Sequence, residues 1–133
     1  MTDGVQFTER ELDLMSVLWK LGSGTVIEVR EHLLDESGYT SVLKMLQILE
    51  EKGHVMHEVE GRAYRYFPKV GPEAAGRSAL AKIVDKIFHG SAELALARLV
   101  EERPITPDEL DRMRRILHDL ADDRRAGSRG GES

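Results

Sequence analysis

The sequence predicts a mainly α-helical chain with one small β-hairpin, on three observations. Apolar residues recur at helical intervals through most of residues 8–120, and several of these runs open on a capping residue. The period changes to two only between Val55 and Phe67. Gly22, Gly38, Gly53 and Pro68 stand where one pattern gives way to the next.

The first helix begins at "FTERELDLMSVLWKLG", where Thr8 and Glu11 have capping-box spacing and satisfy two orphan amides. Leu12, Met15, Leu18 and Trp19 form its stripe, and Gly22 ends it. "SGTVIEVREHLLDESG" repeats the device with Thr25 and Glu28, and Val26, Val29 and Leu33 follow on one side. Asp35 to Gly38 supply a polar turn. A third helix spans Tyr39 to Lys52, with Val42, Met45, Leu46 and Leu49 facing inward and Gly53 as its stop. "VMHEV" and "RAYRYF" are then two strands joined by "EG" as a two-residue turn. Three helices and a hairpin in this order make a helix-turn-helix unit with a β-wing.

"VGPEAAG" is a joint, beyond which three more helices are expected. Their apolar positions include Leu80, Ile83, Val84, Ile87 and Phe88, then Leu99, then Leu110, Met113, Leu117 and Leu120. Thr106 caps the last helix, with Pro107 at its first position and Glu109 three after the cap. So few residues cannot enclose a sizeable core alone, yet the stripes are too continuous to be left in water. A second copy of the chain covers them most economically, so these residues are assigned to a homodimer interface. The domain expectation is 1–70 for the winged helix, 71–123 for helical dimerisation and 124–133 for a tail too polar to fold.

On the third helix, 100° steps place Thr40, Lys44, Gln47 and Glu51 opposite the apolar stripe, with Ser41 and Ile48 on one edge and Leu43 on the other. A helix fits the major groove of B-DNA, where hydroxyls, amides and ammonium groups meet base edges. In helix-turn-helix proteins the second helix of the pair does this, chiefly through its amino-terminal part. Thr40, Ser41, Lys44 and Gln47 are therefore the expected base-reading residues, with Tyr39 beside the backbone. Arg62 and Arg65 on the wing are expected to hold phosphates. Double-stranded DNA is the expected partner. The formal charge of −5 runs against this assignment, since nucleic-acid binders usually carry a basic footprint. Over residues 38–70, however, five Lys/Arg face four Asp/Glu. A winged-helix module for protein contacts is the alternative.

Other chemistries find little support. The chain has no cysteine, so neither a disulfide framework nor a thiolate site is available. His54 and His57 point to opposite faces of a strand, and His32, His89 and His118 lie on separate helices, so no metal or other cofactor is expected. Neither "EGR" nor "SGTV" is long enough to cradle a phosphate. No enzyme is expected. Without a membrane-length apolar run or a signal pattern, the expected compartment is the cytoplasm.

The stretches "FTERELDLMSVLW", "TVIEVREHL", "YTSVLKMLQILEEKG" and "GRAYRYFP" resemble the penicillinase and methicillin-resistance repressors, the BlaI/MecI/CopY family of winged-helix regulators. The likeness continues less sharply through "IVDKIFHGS", "ALARLVEE" and "DELDRMRRIL". Its most specific part is "LEEKG" followed by "GRAYRYFP" at this separation. The resemblance implies a homodimeric repressor that binds a palindromic promoter element and blocks transcription. Copper-responsive relatives bind metal through a cysteine cluster that this chain lacks. In antibiotic-resistance relatives a sensor-linked protease is a further partner, cutting an Asn-Phe bond in the dimerisation helices. This chain contains no asparagine, and the corresponding stretch is "ALARLVEER", around Arg98 and Leu99. Where many relatives carry a basic residue, it has Ile48.

Overall fold

In the computed structural model, which describes residues 6–131, both Thr/Glu pairs form the capping boxes that their spacing predicts. Helix α1 (Glu9–Leu21) begins with Thr8 Oγ1 accepting the Glu11 N–H at 3.1 Å and Glu11 Oε1 accepting the Thr8 N–H at 2.8 Å. Helix α2 (Val26–His32) is closed the same way by Thr25 and Glu28, at 3.2 Å each. Helix α3 (Tyr39–Glu51) follows Gly38 without a side-chain cap. The described residues divide between Lys86 and Ile87 into two units, so α4 (Pro72–Lys86) falls with the winged helix rather than beyond the boundary expected at residue 70.

The sheet has three antiparallel strands in the order β1-β3-β2, where β1 is Gly24–Thr25, β2 is Val55–Glu60 and β3 is Ala63–Pro68. Sequence periodicity did not reveal β1, because two residues cannot establish a period. Gly24 and Thr25 pair with Tyr66 and Arg65. A Cβ on Gly24 would lie 3.1 Å from a Val29 methyl, so glycine lets this strand sit close on α2. The hairpin turn falls one residue later than its expected place. Glu60 pairs with Ala63, and Gly61 and Arg62 make the turn. Gly61 has φ 64°, and the primed turns that join twisted strands need a positive φ at their first position, which glycine adopts without strain.

The core of this unit draws Leu14, Met15 and Leu18 from α1, Val26 and Val29 from α2, and Val42, Leu46 and Leu49 from α3, closed by Val55 and Tyr66 from the sheet. Met45 packs against it from the side. Leu12, expected on the α1 stripe, is instead exposed, because the buried stripe centres on Leu14 and Leu18. Leu12 borders a cleft lined also by Phe7, Ala75, Ala79 and Lys82. Trp19 is half-buried, and its indole N–H donates to the Val70 carbonyl at 2.7 Å.

In the second unit Ser91 caps α5 (Ala92–Glu102) and Thr106 caps α6 (Pro107–Gly131), each accepting a backbone N–H three residues on. The tail expected to be unstructured from residue 124 is helical to Gly131, with residues 132 and 133 outside the described part. The physical reason is that Arg124, Arg125 and Ala126 are good helix formers, and extending an existing helix needs no new nucleus.

A charge pair with one buried member, Glu11, spans the first unit. Glu11 is only 2% exposed, and Lys52 Nζ stands 2.6 Å from its Oε2. Burial pulls the Glu11 pKa upward, but the Lys52 ammonium and the Thr8 hydrogen bonds outweigh it and hold the carboxyl below its ordinary range. Lys52→Met strands that carboxylate and should lower stability by about 1–3 kcal/mol, less than for a fully buried pair because Lys52 is partly exposed. The sign of the pH effect follows from the lowered pKa. Glu11 stabilises the fold above the ordinary carboxylate range, and that contribution is lost as pH falls through its lowered value. Denaturant unfolding against pH should show the Lys52→Met deficit shrinking on acidification. A deficit independent of pH would give Lys52 a packing role instead.

Candidate nucleic-acid interface

Burial of Val42, Leu46 and Leu49 turns the opposite side of α3 outward. Thr40, Ser41, Lys44 and Gln47 are all exposed on that side, and Tyr39 is half-exposed at the start of the helix. Leu43 and Ile48 are half-buried along its two edges. The first turn of α3 has no acidic residue, and its leading amides have no side-chain acceptor. The positive end of the helix dipole is thus uncovered beside the hydroxyl-bearing face.

Arg62 occupies the hairpin tip and is exposed. Among the described residues it forms no ion pair, and neither does Lys44. Arg65, the other residue expected on a phosphate, is engaged within the chain. Its guanidinium is engaged by two carboxylates, Glu28 on α2 at 3.0 Å and Glu60 on β2 at 2.8 Å. These carboxylates raise the Arg65 pKa, and Arg65 in turn lowers both of theirs. A guanidinium with both flanks occupied has no free fork for a phosphate.

The wing is also tied to α3. His57 Nδ1 lies 2.7 and 2.8 Å from the two carboxylate oxygens of Glu50, and its ring stacks on Tyr64 at 4.2 Å. Sequence reasoning treated Glu28 only as a cap and His57 only as a rejected metal ligand. The available signal was weak: strand alternation puts His57 on the same side as buried Val55, facing the core helices.

The ten residues expected at a dimer interface are distributed over three helices and the turn after α4. Leu80, Ile83 and Val84 lie on α4, Ile87 and Phe88 just beyond it, Leu99 on α5, and Leu110, Met113, Leu117 and Leu120 on α6. All are exposed except Val84, Phe88 and Met113, which are half-buried. Among the described residues no three His, Asp or Glu side chains converge on a metal position, and no helix is long and apolar enough to cross a membrane.

The family model for the penicillinase repressor matches residues 7–119. The chain is 36% identical over 117 residues to the transcriptional regulator BlaI of Mycobacterium tuberculosis, covering 83% of this chain and 81% of that one. It is 24% identical over 116 residues to the penicillinase repressor of Bacillus licheniformis, covering 86% and 91%. In fold it is similar to a mutant MarR from E. coli complexed with operator DNA, with a TM-score of 0.50 and 16% identity over 86% of this chain and 76% of that chain. The family match takes in the winged helix and most of the helical region, and so the chain belongs to the penicillinase repressor family: it is a winged-helix transcriptional repressor, not an enzyme.

Proposed function

We propose that the protein acts in the cytoplasm as a homodimer that places two winged helices on the half-sites of a palindromic operator and so blocks transcription. Thr40, Ser41, Lys44 and Gln47 read base edges in the major groove, Tyr39 lies beside the sugar-phosphate backbone, and Arg62 takes a phosphate next to the groove. The observation that carries this reading is the outward polar face of α3, uncovered opposite a fully buried apolar stripe, with Arg62 exposed at the adjoining wing tip. The acidic balance of the chain opposes it less than the bare charge implies. Glu11, Glu28 and Glu60 are each held by a Lys or Arg, and Glu50 faces His57. The Glu28–Arg65–Glu60 group still keeps one net negative charge, which leaves phosphate attraction on the wing to Arg62.

Dimerisation through α4, α5 and α6 is supported by what those helices leave in water. No residue of α5 is buried, and Leu99, Leu110, Ile116, Leu117 and Leu120 are exposed. Apolar burial is worth about 25 cal/mol per Å², so several such side chains amount to a strong drive towards a covering surface. We assign release from DNA to a sensor-linked protease acting around Arg98 and Leu99, both exposed on α5. Cutting there would separate the end of α5 and all of α6 from the winged helix.

Selection of duplexes from a random pool by the full-length protein tests the DNA reading. The wild type should enrich one palindromic sequence, and its affinity should fall steeply with salt. Lys44→Ala and Gln47→Ala should each cost about 1–3 kcal/mol of discrimination at the bases they contact. Arg62→Ala should weaken all sequences alike and reduce the salt slope by about one. Loss of selectivity in the wing variant as large as in the α3 variants would contradict the assignment.

Sedimentation tests the assembly. The wild type should run at twice the chain mass, and Leu117→Glu should shift it to the monomer with loss of full-palindrome affinity while half-site binding survives. A wild-type monomer that occupies the whole palindrome would reject the dimer.

A further inference from the structure

The Arg65 guanidinium makes five hydrogen bonds, as many as it has N–H donors. Nε and Nη2 donate to the Glu60 carboxylate at 2.8 and 2.9 Å. Nη1 and Nη2 donate to Glu28 at 3.0 and 3.1 Å, and Nη1 reaches Ser23 Oγ at 3.2 Å. Glu28 is itself fixed, because its Oε1 also accepts the Thr25 N–H in the α2 capping box. At the other end, Glu60 immediately precedes the Gly61–Arg62 turn. Arg65 therefore links a rigid helix start to the residue next to the wing tip.

Apart from the stack of Tyr64 on His57, little else holds the tip. The third strand reaches only as far as the Thr25–Arg65 pair, so beyond Arg65 the wing is a two-stranded ribbon. A two-stranded hairpin without a packed face is marginal in water. Val59, which pairs with Tyr64 in that outer part, is 71% exposed, so no core lies beneath it.

We infer that Arg65 is a positioning residue for DNA binding: by clamping Glu60 to Glu28 it sets where the wing presents Arg62 to a phosphate. This rests on the operator-binding function proposed above, and it gives Arg65 a role distinct from touching DNA. The two roles differ in sign for one variant. Glu60→Ala removes a negative charge near the phosphates and releases Arg65, so simple electrostatics predicts tighter binding. Loss of the clamp predicts weaker binding, because Arg62 is no longer held in place.

The experiment measures affinity of the full-length protein for the duplex enriched by the wild type, against salt. The variants are Glu60→Ala, Arg65→Met and Arg62→Ala, together with the two doubles that combine Arg62→Ala with each of the others. Glu60→Ala and Arg65→Met should each weaken binding by about three- to tenfold, the scale of one phosphate contact. Neither should weaken it further once Arg62 is alanine. The Glu60 side chain is more than half exposed, so its variant keeps the core intact, and matching thermal unfolding midpoints verify this. Tighter binding by Glu60→Ala, or an additive loss in either double variant, would overturn the clamp while leaving DNA recognition in place. Failure of the wild type to enrich any duplex would overturn both.

Discussion

Everything the winged helix presents outward depends on the packing of one stripe of α3. Val42, Leu46 and Leu49 are fully buried against side chains from α1, α2 and the sheet. With those positions fixed, the 100° step of the helix leaves no freedom over which residues face out. A rotation of α3 that hid Lys44 or Gln47 would drag Leu46 into water, at a cost of about 1.5–3 kcal/mol for that side chain alone. The same packing sets the end of α3, where Lys52 meets Glu11 and Glu50 meets His57. One apolar contact surface thus orients the proposed reading face and anchors the base of the wing beside it.

An acidic chain proposed to bind a polyanion has to dispose of carboxylates near the proposed interface, and here Glu28, Glu50 and Glu60 are paired internally. Three of the chain's carboxylate pairs join separate elements: α1 to the end of α3, α2 to the wing, α3 to β2. These charges are therefore part of the tertiary framework of the first unit. Since Glu28 and Glu60 titrate below the usual carboxylate range, the framework they build is complete at neutral pH and weakens only in acid.

The carboxy-terminal helices follow different physics. Their caps are satisfied and their backbones are regular, but no residue of α5 is fully buried. Helices of this length gain most of their stability from packing an apolar face rather than from intrinsic propensity. The exposed leucines and isoleucines of α4, α5 and α6 therefore describe an incomplete core, for which a second copy is the proposed completion.

Local patterns along the chain determined much of this protein. Thr8 with Glu11 and Thr25 with Glu28 marked the first two helices, and the spacing of Val42, Leu46 and Leu49 separated the two faces of α3. The period-two run marked the hairpin. These features depend on interactions within a few residues, which a linear pattern records directly. Only the tertiary structure decided the fate of the charges. Arg65 and Glu28 are 37 positions apart, and Lys52 and Glu11 are 41 apart, so no periodicity could show that the Arg65 guanidinium is engaged by carboxylates of its own chain or that a capping glutamate is buried. The two-residue strand β1 and the helical extension of α6 escaped for related reasons. A strand that short exists only through its partner, and a helix already nucleated carries forward residues whose composition, read alone, favours coil.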